Sequence, residues 1–227
     1  MSRSAQVARG AIGLTAAVLC SVILLSWATD GMAVLTTDAA RARRVLRAPV
    51  AVPSVSVRSS SGTEHEVLRD LTRESTAWTS SNPGSVRPRA VIVDFVYTRC
   101  ITVCGALGGV FQVLQRNIEE RGLQDKVRLL TVSFDVAHDD PRSLALYARV
   151  HRANSEIWSL VTPVDTSALA QLLRTFGVQV IPDGAGGWVH NAALHVVDPH
   201  GRLVRIVDMA DGEAALRAAL EAWDAVP

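Results

Sequence analysis

Cys100 and Cys104 stand four positions apart in the run Tyr97-Thr98-Arg99-Cys100-Ile101-Thr102-Val103-Cys104. The third cysteine, Cys20, lies in an apolar N-terminal stretch, so a disulfide framework of the kind small secreted domains use is excluded. On a helix, positions i and i+4 share a face with β-carbons about 5–6 Å apart. A disulfide wants about 3.5–4.5 Å, so the pair oxidises only if Cys100 sits in a loop and adjusts. A soft metal relaxes that demand, because bonds of about 2.3 Å let one ion bridge sulfurs roughly 4.6 Å apart. The spacing therefore favours metal binding, by Cu(I) or zinc, and leaves redox chemistry open. The bland alternative is two small apolar residues near a helix start, and the scarcity of cysteine weighs against it. A helix N-terminus lowers an exposed thiol by less than about one pKa unit, so these thiols stay partly protonated until a metal displaces the proton.

A third ligand would come from one of the six histidines, His65, His138, His151, His190, His195 and His200. His190 follows the glycine-rich stretch Asp183-Gly184-Ala185-Gly186-Gly187 and precedes a predicted strand. As a loop residue it can swing toward the cysteine-bearing loop. His195 falls mid-strand and His200 in a turn, which suits them less. Two thiolates and one imidazole make a three-ligand site that fits copper better than a closed structural zinc site.

The elements that must position these residues are legible as alternating apolar patterns. Residues 91–96 read as a buried strand, 103–120 as a helix and 127–134 as a second strand. Asp139-Asp140-Pro141 opens a helix to about Val150. Residues 158–162 form a short strand, 165–176 a helix stopped by Gly177, and 192–197 with 203–208 a hairpin around Asp198-Pro199-His200-Gly201. Residues 211–223 form the last helix. This order predicts an α/β domain of thioredoxin-like fold, a central mixed sheet flanked by helices.

Upstream, residues 10–29 carry no formal charge; at about 1.5 Å per residue they span roughly 30 Å, the thickness of a bilayer core. Trp27 sits at the expected interface. An uncleaved transmembrane helix is favoured over a cleaved signal peptide, for which Arg3, Arg9 and Gly31-Met32-Ala33 would serve. The domain expectation is an anchor or signal segment over 1–30, a flexible tether over 31–60 with Pro49, Pro53 and a serine cluster, and the thioredoxin-like domain over 61–227. Arg41, Arg43, Arg44 and Arg47 follow the apolar run, so the charge count leaves orientation ambiguous. A net charge of +1 excludes an electrostatic nucleic-acid binder.

The run from Asp94 to Cys104 resembles the Sco/SenC proteins, as does Val132-Ser133-Phe134-Asp135 followed by His138-Asp139-Asp140-Pro141. His190 stands before Pro199 of the Asp-Pro-x-Gly turn at the interval where that family places its metal histidine. The resemblance implies copper held by Cys100, Cys104 and His190, with Cu(I) favoured over Cu(II), and Asp135 as an accessory to metal handling or partner contact. A strand-end turn residue is the plain alternative for Asp135. It further implies a copper chaperone of the bacterial inner membrane, with a single-pass anchor and a periplasmic domain. That chaperone would serve the dinuclear copper centre of cytochrome c oxidase by delivering copper or keeping the recipient cysteines reduced. Its partners would be the copper-centre subunit and other copper carriers. The rival reading is a periplasmic thiol–disulfide oxidoreductase with Cys100 and Cys104 as its redox pair. A peroxidase using Arg99 is third. Many relatives have proline after each cysteine where this chain has Ile101 and Gly105, so its loop is less stiff.

Overall fold

The computed structural model of the protein describes residues 3–28, 36–67, 88–100 and 103–225. The chain divides into two compact units, 1–44 and 45–227. In the first, helix α1 (Arg3–Ala28) is followed by α2 (Thr37–Arg47), whose residues from Val45 on belong to the second unit. The Thr36 hydroxyl caps α2 by accepting the Ala39 N–H at 3.1 Å. The side chains of α1 are described from Gly13 onward, so part of the expected span over 10–29 lies outside the described residues. Among the described residues no helix is long and apolar enough to cross a membrane.

The second unit is built on an eight-stranded sheet. Its strands are β1 (Val50–Ala51), β2 (Ser56–Ser59), β3 (Glu64–Glu66), β4 (Ala90–Val96), β5 (Val127–Ser133), β6 (Trp158–Pro163), β9 (Ala193–Val197) and β10 (Arg202–Asp208). They lie in the order β1-β10-β9-β4-β5-β6-β2-β3. A separate two-stranded ladder joins β7 (Val180–Pro182) to β8 (Trp188–His190). Strands β4, β5 and β6 are parallel, while β9 pairs antiparallel with β4 and with β10. Every residue of β4 and β5 is buried. Burial along the whole length marks strands covered on both faces.

Helix α3 (Val103–Glu120) returns the chain from β4 to β5, and α4 (Pro141–Val150) from β5 to β6. The Asp140 side chain caps α4 on the Ser143 N–H, with Pro141 in the first turn. Helix α5 (Thr166–Phe176) is capped by Asp165 and ends at Gly177, whose φ of 61° is the left-handed conformation glycine adopts without cost. Phe176 of α5 packs on Phe95 of β4, with ring centroids 5.1 Å apart. Helix α6 (Gly212–Asp224) lies against β4, β9 and β10 and contacts α3.

Two expectations are corrected. The stretch 31–60, expected as a tether, contains α2, β1 and β2. Val57 is fully buried while β2 pairs with β6, so an alternation of apolar and polar residues is hidden among the serines. Pro49 and Pro53 fall just outside the paired residues, where proline costs the ladder nothing. Second, His190 is the last residue of β8, paired with Val180, and is not a loop residue.

Candidate metal centre

Strand β4 ends at Val96, and the turn that follows is tied back on itself. The Cys100 N–H donates to the Tyr97 carbonyl at 3.1 Å. The Cys100 Sγ accepts the Cys104 N–H at 3.4 Å, taking one of the first-turn amides that a helix leaves without an internal partner. Ile101 and Thr102 lie outside the described residues, and with Ile101 goes the expected looseness of this loop.

Cys104, one residue into α3, is fully buried, and its carbonyl accepts the Tyr147 hydroxyl at 2.7 Å. Its Sγ lies 3.8 Å from the Nε2 of His190, across 86 positions of chain. One ion bonded to a thiolate at about 2.3 Å and an imidazole at about 2.05 Å, with 120° between them, sets S and N about 3.8 Å apart. The observed separation is therefore one that a three-coordinate ion would span.

The His190 ring packs on Phe134, centroids 5.0 Å apart, and its buried Nδ1 has no hydrogen-bond partner among the described residues. Burial depresses its basicity, so the imidazole is neutral at physiological pH, the form that ligates metals. Burial pushes the Cys104 thiol well above its ordinary value. Desolvation therefore outweighs the modest benefit expected from the helix end, and Cys104 waits as a thiol until a cation takes its place. The donor set fits a soft ion, but it is not a closed cage. Among the described residues no three His, Cys, Asp or Glu side chains already form one.

The other candidates separate cleanly. His195 is buried in β9 between Phe95 and Phe176, centroids 5.7 and 5.3 Å away, and its Nδ1 lies 3.3 Å from the Val93 carbonyl. It is a core histidine. His200 occupies the turn before β10, its backbone amide bonded to Asp198. Asp135 is buried, with one oxygen 2.7 Å from the Arg99 guanidinium and the other 2.8 Å from His138 Nδ1. Burial alone would raise this carboxyl, but Arg99 and His138 outweigh it and hold it below the usual carboxylate value. Asp135 thus anchors the residue beside Cys100, and both its oxygens are engaged.

Four residues near the site carried no chemical reading in the sequence. Asp139 accepts from Thr98 and Ser133, and Tyr97 reaches the backbone of Trp188. Phe134 lies between the Tyr97 and His190 rings. Asp94 is wholly buried, and desolvation, opposed by Thr131, pushes its carboxyl up to about 7. A lone carboxylate in an otherwise apolar strand is a signal that could have flagged Asp94.

The SCO1/SenC family model matches residues 75–224. A SCO1 protein homologue of Bacillus subtilis (strain 168) is 24% identical over 123 residues, or 53% of this chain. That match spans 63% of the relative, less than two thirds of its length. Among solved structures, Bradyrhizobium japonicum ScoI with copper bound aligns with a TM-score of 0.57 at 18% identity, over 76% of this chain and 99% of that one. BsSco, a member of the Sco family of cytochrome c oxidase assembly proteins with an identified disulfide switch, aligns with a TM-score of 0.63 at 17% identity, over 78% and 96%. At such identities these likenesses show the fold, which is the thioredoxin-like one expected.

Proposed function

The chain belongs to the SCO1/SenC family, and from that premise we propose that it carries copper for the assembly of cytochrome c oxidase, binding it through Cys100, Cys104 and His190. The observation that carries this reading is the 3.8 Å approach of His190 Nε2 to Cys104 Sγ. Two sulfurs and a neutral imidazole favour Cu(I), with Cu(II) the harder fit. The relative from Bradyrhizobium japonicum was solved with copper bound, which supports the choice of ion.

Delivery to the dinuclear copper centre is favoured over reduction of its cysteines by the state of Cys104. A buried thiol held well above its ordinary pKa is a poor nucleophile at neutral pH. A periplasmic thiol–disulfide oxidoreductase is the second reading, and the Cys104 N–H on the Cys100 Sγ favours it, because an amide there stabilises a thiolate at Cys100. The peroxidase reading loses its cation, since Arg99 is committed to Asp135. In this proposal α1, uncharged from Gly10 to its end at Ala28, anchors the protein in the bacterial inner membrane and the sheet-bearing unit over 45–227 faces the periplasm. There it meets the copper-centre subunit and other copper carriers, with Asp135 acting through Arg99 at the rim.

Anaerobic Cu(I) titration of the reduced protein tests the ligand set. One ion per chain is expected, with affinity collapsing in Cys100→Ala and Cys104→Ala and falling in His190→Ala. Undiminished tight binding in all three variants would end the proposal.

A further inference from the structure

The sulfur ligands and the imidazole of the proposed site sit on pieces of structure that no ladder connects. Cys100 and Cys104 belong to the β4–α3 segment of the main sheet, whereas His190 belongs to the separate β7–β8 hairpin. Something must hold that hairpin at the distance copper needs, and one side chain does so by two hydrogen bonds. The Tyr97 hydroxyl accepts the Trp188 N–H at 3.2 Å and donates to the Trp188 carbonyl at 3.4 Å.

The backbone of the hairpin explains why Trp188 is available. The Asp183 N–H donates to the Gly187 carbonyl at 3.0 Å, closing the hydrogen-bonded end of the ladder. Bonding alternates along an antiparallel pair, so the next pair, Pro182 and Trp188, turns its backbone groups outward. Proline is tolerated there because no ladder amide is needed. Trp188 is left with an N–H and a C=O facing away from β7, and Tyr97 takes both. Gly187 permits the approach, since a Cβ at that position would stand 2.9 Å from the Tyr97 hydroxyl and 2.6 Å from Asp183 Oδ2. The Tyr97 ring is buried and packs on Phe134 at 5.4 Å, and Phe134 packs in turn on the His190 ring. Trp188 and His190 are two residues apart, so their side chains share one face of β8.

We propose that Tyr97 is the positioning residue of the site: its hydroxyl sets the register of the β7–β8 hairpin against the cysteine loop and so fixes His190 opposite Cys104. This deepens the copper reading and rests on it. The hydroxyl also lies within reach of the Cys100 thiol, so its action through the hairpin must be separated from action through sulfur.

Tyr97→Phe removes the two bonds and keeps the ring. In the metal-free protein, amide hydrogen exchange at Trp188 should accelerate by about tenfold or more while the β4 and β5 amides stay protected. In Cu(I) titration, Tyr97→Phe should lower affinity about tenfold in the wild-type background, the scale of loss when a group that orients a ligand is removed. It should add nothing in a His190→Ala background, where there is no imidazole left to place. Unaltered Trp188 exchange, or an equal affinity loss with and without His190, which is what action through the Cys100 sulfur alone would give, would each overturn the proposal. Absence of copper binding by the wild-type protein would instead sink the copper reading, and the exchange measurement would still decide whether Tyr97 holds the hairpin.

Discussion

The carboxylate of Asp139 holds Thr98 twice, accepting its backbone N–H at 2.8 Å and its hydroxyl at 2.6 Å. A third bond, from the Ser133 hydroxyl at 2.6 Å, ties the same carboxylate to the end of β5. Asp139 is only 3% exposed. The turn that leads into Cys100 is therefore pinned to the neighbouring parallel strand, two residues before the sulfur.

Asp139→Ala strands three donors and opens a void in their midst. Leaving buried donors without an acceptor costs about 1–3 kcal/mol each, less than additively. We expect a loss on the order of 3 kcal/mol in urea unfolding, with Asp139→Asn losing less because one acceptor oxygen survives. A loss below about 0.5 kcal/mol for the alanine variant would show that the clamp does not hold the turn.

Most elements from β4 to α6 were legible because each combines a local signal with burial. Runs rich in β-branched and apolar residues marked β4 and β5, and Asp140, Asp165 and Gly177 punctuated the helices as their side chains and backbone angles predict. The short strands escaped. β2 carries its buried Val57 between serine and arginine, and β7 and β8 are three residues each, joined by a glycine-rich turn that reads as loop. His190 is preferred to His195 for its glycine-rich neighbourhood and the family-like interval to Pro199; it stands at the end of a short strand instead of in a loop, because a three-residue strand leaves no periodic signal. The Tyr97–Trp188 contact spans 91 positions and lies in no motif or periodicity, so nothing local encodes it.

Asp94 makes stability depend on pH in an unusual direction. Its folded carboxyl keeps its proton up to about pH 7, while an unfolded one releases it near 3.8. Between those values the native state binds the extra proton, so stability falls as pH rises through the window, and the penalty is complete above it. Asp94→Asn removes the ionisable group at similar volume. It should match the wild type near pH 4 and exceed it at pH 8, by on the order of 4 kcal/mol from a shift of about three units. Equal differences between the two proteins at both pH values would show that Asp94 titrates normally.

Copper loading should release protons. The Cys104 thiol is protonated at neutral pH because burial raises it, whereas the His190 imidazole is already neutral because burial lowers it. The ion therefore displaces a proton from sulfur and none from the imidazole. Apparent affinity should rise with pH across the neutral range, about tenfold per unit for each proton released. Calorimetry in buffers of differing ionisation enthalpy counts those protons directly. A pH-independent affinity between 6 and 8 would mean that Cys104 is ionised before the metal arrives.

Gly108 tests how tightly the rear of the site is packed. A Cβ there would lie 2.4 Å from the Cε1 of His151, closer than real atoms approach. The His151 ring packs at a tilt against Tyr147, centroids 4.4 Å apart, and the Tyr147 hydroxyl donates to the carbonyl of Cys104. A methyl at 108 therefore pushes a ring whose neighbour is bonded to a proposed ligand's backbone. Overpacking of this kind costs about 1–3 kcal/mol, and Gly108→Ala should lose that much in urea unfolding together with some Cu(I) affinity. The same substitution in a His151→Ala background should cost far less, because the space is then free. A glycine variant that loses as much stability without His151 as with it would show that the clash is relieved elsewhere, and that the α3–α4 contact does not transmit strain to Cys104.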